Sequence, residues 1–471
     1  MNFQSTNPHD GKSVATFQTL SESAVRDKID SAADAFRFWH RSKIDDRGDF
    51  VRQVADRLDA NRAAHARMIT EEMGKPIAQA ESEIDFCAQI MRYYADHAAT
   101  FLAPTPMDAD DVDAVVVPEP IGVILGIMPW NFPFYQVIRL VAPNLMAGNT
   151  VLIKHAANVP RCALGIEKLF AAATTDHGLP AGLVQNLFID NDAIERVIGH
   201  HAVAGVSLTG SNRAGAAVAA IAGRHVKPTV LELGGDDPFV VCDDVDLESL
   251  VPVAVDARVV NTGQSCIAAK RFIVARSIHD AFVDRVADQM SKLRVGDPTN
   301  RSHSIGPMCT AAARDRLAEQ VDASRRSGTQ VITGGRRIDG PGFYYPPTVL
   351  ADLADDDPSA DEELFGPVAK IIPFDTDDDA IAIANSSPFG LGGSVHSGDV
   401  HRAGRIAAGV RGGMVFVNAP CKSRCDLPFG GTKASGYGRE LGPPAIRQFV
   451  NPKLIVRPVD AAYRRRVDAE N

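Results

Sequence analysis

From Ile121 to Val417, short apolar runs alternate with stretches whose apolar residues recur at helical spacing, and this alternation restricts the fold more than any other feature of the chain. VLIK at Val151, VQNLFI at Val184 and VAGVSLTG at Val203 are short, nearly continuous apolar segments of the kind that suit strands buried on both faces. Helices are expected between them, after Pro160, near Ile194 and after Ser211. Strand and helix in regular succession imply right-handed crossovers and a doubly wound parallel sheet. A second alternating series runs from Val230 to about Val417, with helices predicted over Leu247–Val259, Ile278–Leu293 and Ala311–Ser327. Because 471 residues exceed what one core usually organises, two α/β domains in succession are expected.

The flanking segments read differently. Between Ser21 and about Thr100 the stripe Ala24, Ile29, Ala32, Ala33, Phe36 and Trp39 behind a Ser21 cap predicts a helical lead-in. Asp113–Pro118 is β-rich, Ile121–Ile127 suits a buried strand, and KLIVRPV at Lys453 is an isolated strand in need of a partner. The uncharged run Pro120–Ile138 could be mistaken for a membrane span, but Pro129, Asn131 and Pro133 favour a strand, a turn and then a helix. With 49 basic against 59 acidic residues the net charge is -10, which argues against nucleic acid and anionic membranes as main partners. The acid clusters Asp108–Asp111, Asp355–Asp357 and Asp377–Asp379 suit solvated loops or helix starts. The polar N-terminus lacks the apolar core of a secretory signal. Seven cysteines without zinc-like pairing predict neither a disulfide framework nor a metal site, and a reducing cytoplasm is the expected home.

No G-x-G-x-x-G fingerprint follows a first strand, and Gly436 and Gly438 in SGYGRE read as a turn. A phosphate could instead be held at SLTGSNRAG, where a strand ends in Thr209, Gly210 and Ser211 and a helix opens; any strand-to-helix turn also favours such residues. Cys266 lies in a loop before a strand expected from Arg271, as a nucleophile or as a small core residue. Glu232 ends an apolar strand, where a carboxylate is either a general base or a structural acceptor.

Considered together, IMPWNFP at Ile127, LIKHAAN at Leu152, LTGS at Leu208, LELGG at Leu231, GQSC at Gly263, EELFGPV at Glu362 and PFGGTKASGYGREL at Pro428 resemble, in order and spacing, the signature segments of the aldehyde dehydrogenase superfamily. The form NTGQSCIAAKRF is most similar to the succinate-semialdehyde dehydrogenase branch. The resemblance implies an α/β fold of two doubly wound domains with a small β oligomerisation arm. Its expected division is a cofactor domain over 1–104 and 119–233 with 435–450 returning to it, a catalytic domain over 234–434, and an arm over 105–118 and 451–471. A homodimer or homotetramer is implied.

Carried over residue by residue, the resemblance implies that Cys266 attacks the aldehyde, that Asn131 and the Cys266 N–H hold the oxyanion, and that Glu232 activates the hydrolytic water. It assigns Lys154 to the adenosine ribose, Trp130 with Gly210 and Ser211 to the pyrophosphate, and Glu363 with Phe365 to the nicotinamide ribose of NAD or NADP. NAD-selective members carry a glutamate three residues after the lysine. Here Ala157 leaves nothing to repel a 2′-phosphate, and Lys154 and His155 could attract one, so NADP is favoured. Arg139, Ser423, Arg424 and Phe429 are the implied substrate contacts, with Arg139 gripping the carboxylate of succinate semialdehyde. Two departures bear on that substrate. Many members have a second arginine where this chain has Val260, and the stretch before LPFGG reads Ser423, Arg424, Cys425, Asp426 instead of Ser-Asp-Pro-Arg. Other short aldehydes, transfer of the thioester to phosphate or CoA, and a non-catalytic protein keeping the fold are the alternatives; Glu232 weighs against acyl transfer.

Overall fold

The strand Val123–Met128 is the pivot of the molecule's first sheet. It pairs in parallel with Thr150–His155 on one side and Val203–Thr209 on the other. The sheet then extends outward to Val184–Asn186 and to Thr229–Glu232. The chain thus winds away from the pivot in one direction, returns, and winds away in the other. At such a reversal the loops at the carboxyl ends of neighbouring strands diverge and leave a crevice. The side chains explain the depth of this sheet: Val123, Ile124, Leu125, Val151 and Leu152 are buried, as strands covered by helices on both faces require. The computed structural model describes residues 3–109, 112–354 and 357–458.

A second sheet has the order Gln330–Thr333, Thr348–Ala351, Val368–Phe374, Arg271–Ala275, Pro238–Val241, Ser394–His396, Phe416–Val417. Only its Gln330–Thr333 edge is antiparallel. The helices Leu247–Val259 and Ala311–Ser327 coincide with their expected spans, and His279–Ser291 falls within Ile278–Leu293. In the lead-in, the Ser21 hydroxyl accepts from the Ala24 N–H and caps Glu22–Trp39, whose fully buried stripe is Ile29, Ala32, Ala35 and Trp39. Ala35 takes the buried place expected for Phe36.

Val112–Pro120 pairs antiparallel with both Thr105–Met107 and Val450–Pro458, so the two strand-like segments of the expected arm find each other within one chain. Residues 459–471 of that arm, and Asp110, Asp111, Asp355 and Asp356 of the acid clusters, lie outside the described residues. Asp377–Asp379 open the helix Asp377–Ser386, with Thr376 and Asp379 closing a capping box. Gly436–Tyr437, read from sequence as a turn, is instead a short strand antiparallel to the edge strand ending in Glu232. Pro120–Ile138 resolves into strand, turn and the start of helix Tyr135–Ala147, and no helix among the described residues is long and apolar enough to cross a membrane.

Candidate active site

Cys266 sits in a loop that the backbone enters under strain. Asn261 and Thr262 both adopt left-handed conformations, with φ of 53° and 57°. Gly263 follows at φ +73°, where a side-chain carbon would lie 2.3 Å from the Gly366 carbonyl. Such geometry persists only where surrounding bonds over-determine it. They do so here. The Asn261 amide donates to the Asn131 carbonyl at 2.7 Å and the Asn261 N–H to Gln79 at 2.7 Å. The Thr262 hydroxyl accepts from Gly306 N–H at 3.1 Å. Two buried cations finish the loop. Arg258 donates to the carbonyls of Ala269, Gly263 and Gly366, and Lys270 to those of Ser265 and Cys266 at 2.9 and 2.6 Å. Sequence reasoning missed both, although a charged residue inside an apolar segment is a visible signal that something must satisfy it. Burial pushes the Cys266 thiol up to about 12, against the opposing pull of Lys270 and Arg139.

Asn131 is held next to this loop. Its Oδ1 accepts from Gln136 Nε2 at 3.0 Å, which turns Nδ2 toward the loop, where it donates to the Gln264 carbonyl at 3.1 Å. The turn that carries Asn131 is anchored by Glu83, whose carboxylate accepts from the Phe134 and Tyr135 N–H groups at 2.9 and 3.0 Å. A carboxylate there satisfies free donors at a helix start and meets the positive end of its dipole. Lys75 neutralises Glu83 in a fully buried ion pair and lies over the Phe132 ring.

Glu232, at the end of its strand, is 2% exposed, and neither carboxyl oxygen has a hydrogen-bond partner among the described residues. Burial raises its pKa well above the ordinary carboxylate value; Arg139 opposes this, and Glu440 adds to it. Gly430 makes room for the group, since a side-chain carbon at that position would lie 2.7 Å from Glu232 Oε1. Glu232 is not among the residues lining the cavity at Cys266.

That cavity, of about 500 Å³, is bounded by Cys266, Phe132, Tyr135, Val260, Ser423 and Phe429, among others. Phe429 and Ser423, two of the residues expected to contact substrate, thus line the cavity that Cys266 also lines. Arg139 does reach the cavity wall, but its guanidinium is 1% exposed and forms an ion pair with Glu440, with further bonds to Tyr135 and Thr209 at 3.2 Å each. Its charge is therefore largely spent inside the protein. Tyr135 in turn donates to Ser423 at 2.8 Å, so Arg139, Tyr135 and Ser423 form a chain ending at the cavity. Arg424 does not line the cavity; it is paired with Asp426 at the exposed surface, so neither charge of the altered stretch bears directly on a bound substrate. Val260 does line the cavity, as an apolar wall where a second arginine was missing from the sequence.

Of the remaining expected residues, Trp130, Lys154 and Ser211 lie at or just beyond the carboxyl ends of strands of the first sheet, and Glu363 and Phe365 lie on the loop before Val368–Phe374. The Lys154 side chain leaves the end of Thr150–His155 and makes no hydrogen bond or ion pair among the described residues; burial lowers its pKa, with the Asp190 charge opposing. A half-buried ammonium with no hydrogen bond of its own among the described residues has donors to offer the hydroxyl or phosphate oxygens of a nucleotide. Ser211 caps the helix Asn212–Arg224 at the end of the neighbouring strand, and the Gly210 N–H is tied to the Glu232 carbonyl at 2.9 Å. Trp130 meets Phe365 edge to face at 5.9 Å, and Glu363 contacts Lys270 at 3.3 Å while accepting from Gly235 N–H. Ala157 is half-buried against Phe3 and Phe188 and carries no charge into the crevice. His155 is corrected as a phosphate contact: it is buried, with Nε2 on the Pro133 carbonyl and Nδ1 accepting from Ala156 N–H, and burial lowers it to about 4. It is neutral and used internally.

A strained cysteine loop, an oriented amide beside it and a cavity of about 500 Å³ at the same loop are therefore brought together, and the sequence matches the aldehyde dehydrogenase family over residues 1–455. The chain belongs to the aldehyde dehydrogenase family. It is 44% identical to a succinate-semialdehyde dehydrogenase [NADP(+)] of Deinococcus radiodurans, over 96% of this chain and 94% of that one. A protein of the same name from Mycolicibacterium paratuberculosis is 45% identical, over 95% of each. Among solved structures, succinic semialdehyde dehydrogenase from Streptococcus pyogenes, in complex with NADP+, superposes with a TM-score of 0.94 at 38% identity, covering 97% of this chain and all of that one.

Proposed function

We propose that this aldehyde dehydrogenase oxidises succinate semialdehyde to succinate with NADP. The observation that carries the reading is the shared cavity of about 500 Å³ in which the Cys266 loop, the Asn131 turn and the Ser423 hydroxyl converge. The names of the relatives supply the substrate and cofactor. Cys266 attacks the aldehyde carbon after losing its proton, and the oxyanion of the thiohemiacetal takes hydrogen bonds from Asn131 Nδ2 and the Cys266 N–H. NADP, held by Lys154, Ser211, Trp130, Glu363 and Phe365, would supply the hydride acceptor. The acyl group then rests on Cys266 as a thioester. Glu232, whose burial raises its pKa and so makes its carboxylate a stronger base, accepts the proton of the hydrolytic water once its carboxyl turns toward the thioester. Ala157 and the free Lys154 support NADP over NAD.

The same reading includes a cytoplasmic homodimer or homotetramer assembled through the three-stranded arm. Exposed Leu454, Val456 and Met107 on that arm support it. A second reading, oxidation of another short aldehyde such as glutarate semialdehyde or an uncharged one, is favoured by the internal use of Arg139 and the pairing of Arg424 with Asp426. Initial rates with a panel of aldehydes, each run with NADP and with NAD, test both. Succinate semialdehyde with NADP is expected to give the highest kcat/KM, and a better rate with butanal overturns the substrate assignment.

A further inference from the structure

A cavity that receives an acidic aldehyde needs an available cation, and the described lining residues offer one. Four of them carry charge: Glu83, Arg139, Asp256 and Lys422. Glu83 is neutralised by Lys75, and Arg139 by Glu440. Lys422 and Asp256 have no side-chain hydrogen bond or ion pair among the described residues. They stand on separate elements, Asp256 on the helix Leu247–Val259 and Lys422 on the loop after the strand Phe416–Val417. The residues on either side of Lys422 face inward. Cys421 lines the cavity close enough to Cys266 for the second thiol to raise the pKa of the first, and Ser423 lines it while accepting from Tyr135. Because Tyr135 is the donor in that bond, the Ser423 hydroxyl proton remains available to a ligand in the cavity.

We infer that Lys422 is the residue that selects the distal carboxylate of the substrate, its ammonium and the Ser423 hydroxyl together forming the anion subsite of the Cys266 cavity. This rests on the substrate class proposed above. Lysine is suited to this role because its four-carbon stem carries a point charge with three donors that can follow a flexible chain end. Asp256, which lines the cavity from the helix Leu247–Val259, repels a carboxylate from the helix side and so biases it toward Lys422. Val260 leaves no competing cation on that wall.

The test compares kcat/KM for succinate semialdehyde and butanal, chains of equal carbon number, in wild type, Lys422→Met, Lys422→Arg and Asp256→Asn, with NADP. Lys422→Met is expected to lower kcat/KM for succinate semialdehyde roughly tenfold, mainly through KM, while butanal changes by less than about twofold. Lys422→Arg should keep most of the preference, and Asp256→Asn should not weaken it. A wild type that prefers butanal overturns the substrate reading and this inference together. A wild type that prefers succinate semialdehyde and keeps the preference in Lys422→Met overturns this inference alone. So does an equal loss with both aldehydes.

Discussion

Replacing Arg139 by methionine keeps much of the side chain's length and removes its charge. In the structure that charge meets Glu440, itself 4% exposed, while the guanidinium also bonds Tyr135 and Thr209 and lies 4.5 Å from the centre of the Phe429 ring. Breaking a buried ion pair by removing one partner typically costs about 3–5 kcal/mol, because the other charge is left without compensation. Glu440 can recover part of this by binding a proton, since burial already raises its pKa and loss of Arg139 removes the main opposing influence. The sign of the pH dependence follows. Between the ordinary carboxylate value and the raised folded value, the folded variant holds a proton that the unfolded chain has released, so stability falls as pH rises through that window. Urea unfolding should therefore show a smaller loss near about pH 5 than near about pH 8, where the loss approaches about 3 kcal/mol or more. Because Tyr135 and Phe429 lose their support together, kcat/KM should fall in parallel for succinate semialdehyde and butanal. A loss under about 1 kcal/mol without a pH slope, or a loss of activity confined to the carboxylated aldehyde, would refute this reasoning and return Arg139 to a direct grip on substrate.

Cys266→Ala should abolish oxidation while leaving NADP binding by fluorescence titration near normal, and substantial residual turnover would sink the covalent mechanism. Glu232→Gln should release one burst of NADPH per site in stopped-flow absorbance and then stall; steady turnover at the wild-type rate excludes Glu232 as the base. Ala157→Glu should shift the ratio of kcat/KM values toward NAD by roughly tenfold or more, since a carboxylate near the 2′-phosphate repels it; an unchanged ratio contradicts the reading. With the Cys266 thiol pushed up to about 12 in the cofactor-free chain, alkylation by iodoacetamide should keep accelerating beyond the ordinary thiol value of about 8.5, and a plateau there would show a normal thiol.

Periodicity alone located Leu247–Val259 and Ala311–Ser327, because a helix that packs on one face writes that face into its sequence at a fixed spacing. It placed Cys266 before the strand Arg271–Ala275, and Glu232 at the end of another, for the same local reason. The short Gly436–Tyr437 strand was not legible, since its two residues gain their pairing only from an edge brought up by the rest of the fold. The charged residues divide in the same way. Lys422 lies at the cavity without a side-chain partner among the described residues, Arg424 lies outside it paired with Asp426, and Arg139 is engaged by Glu440. A sequence shows that a residue carries a charge, but the use of that charge depends on what the tertiary structure sets within a few ångströms of it. Glu440 lies far along the chain from Arg139, and Arg258 and Lys270 hold carbonyls of a loop whose left-handed turn no spacing rule announces. Local pattern determined the order of strands and helices, and the family resemblance, not local pattern, singled out Cys266 and Glu232 as the candidate reactive side chains. Only the tertiary structure decided which cations were consumed inside the protein and that, among the described residues lining the cavity, Lys422 was left without a side-chain partner, because electrostatic partnership falls off with distance in space and is indifferent to distance along the chain.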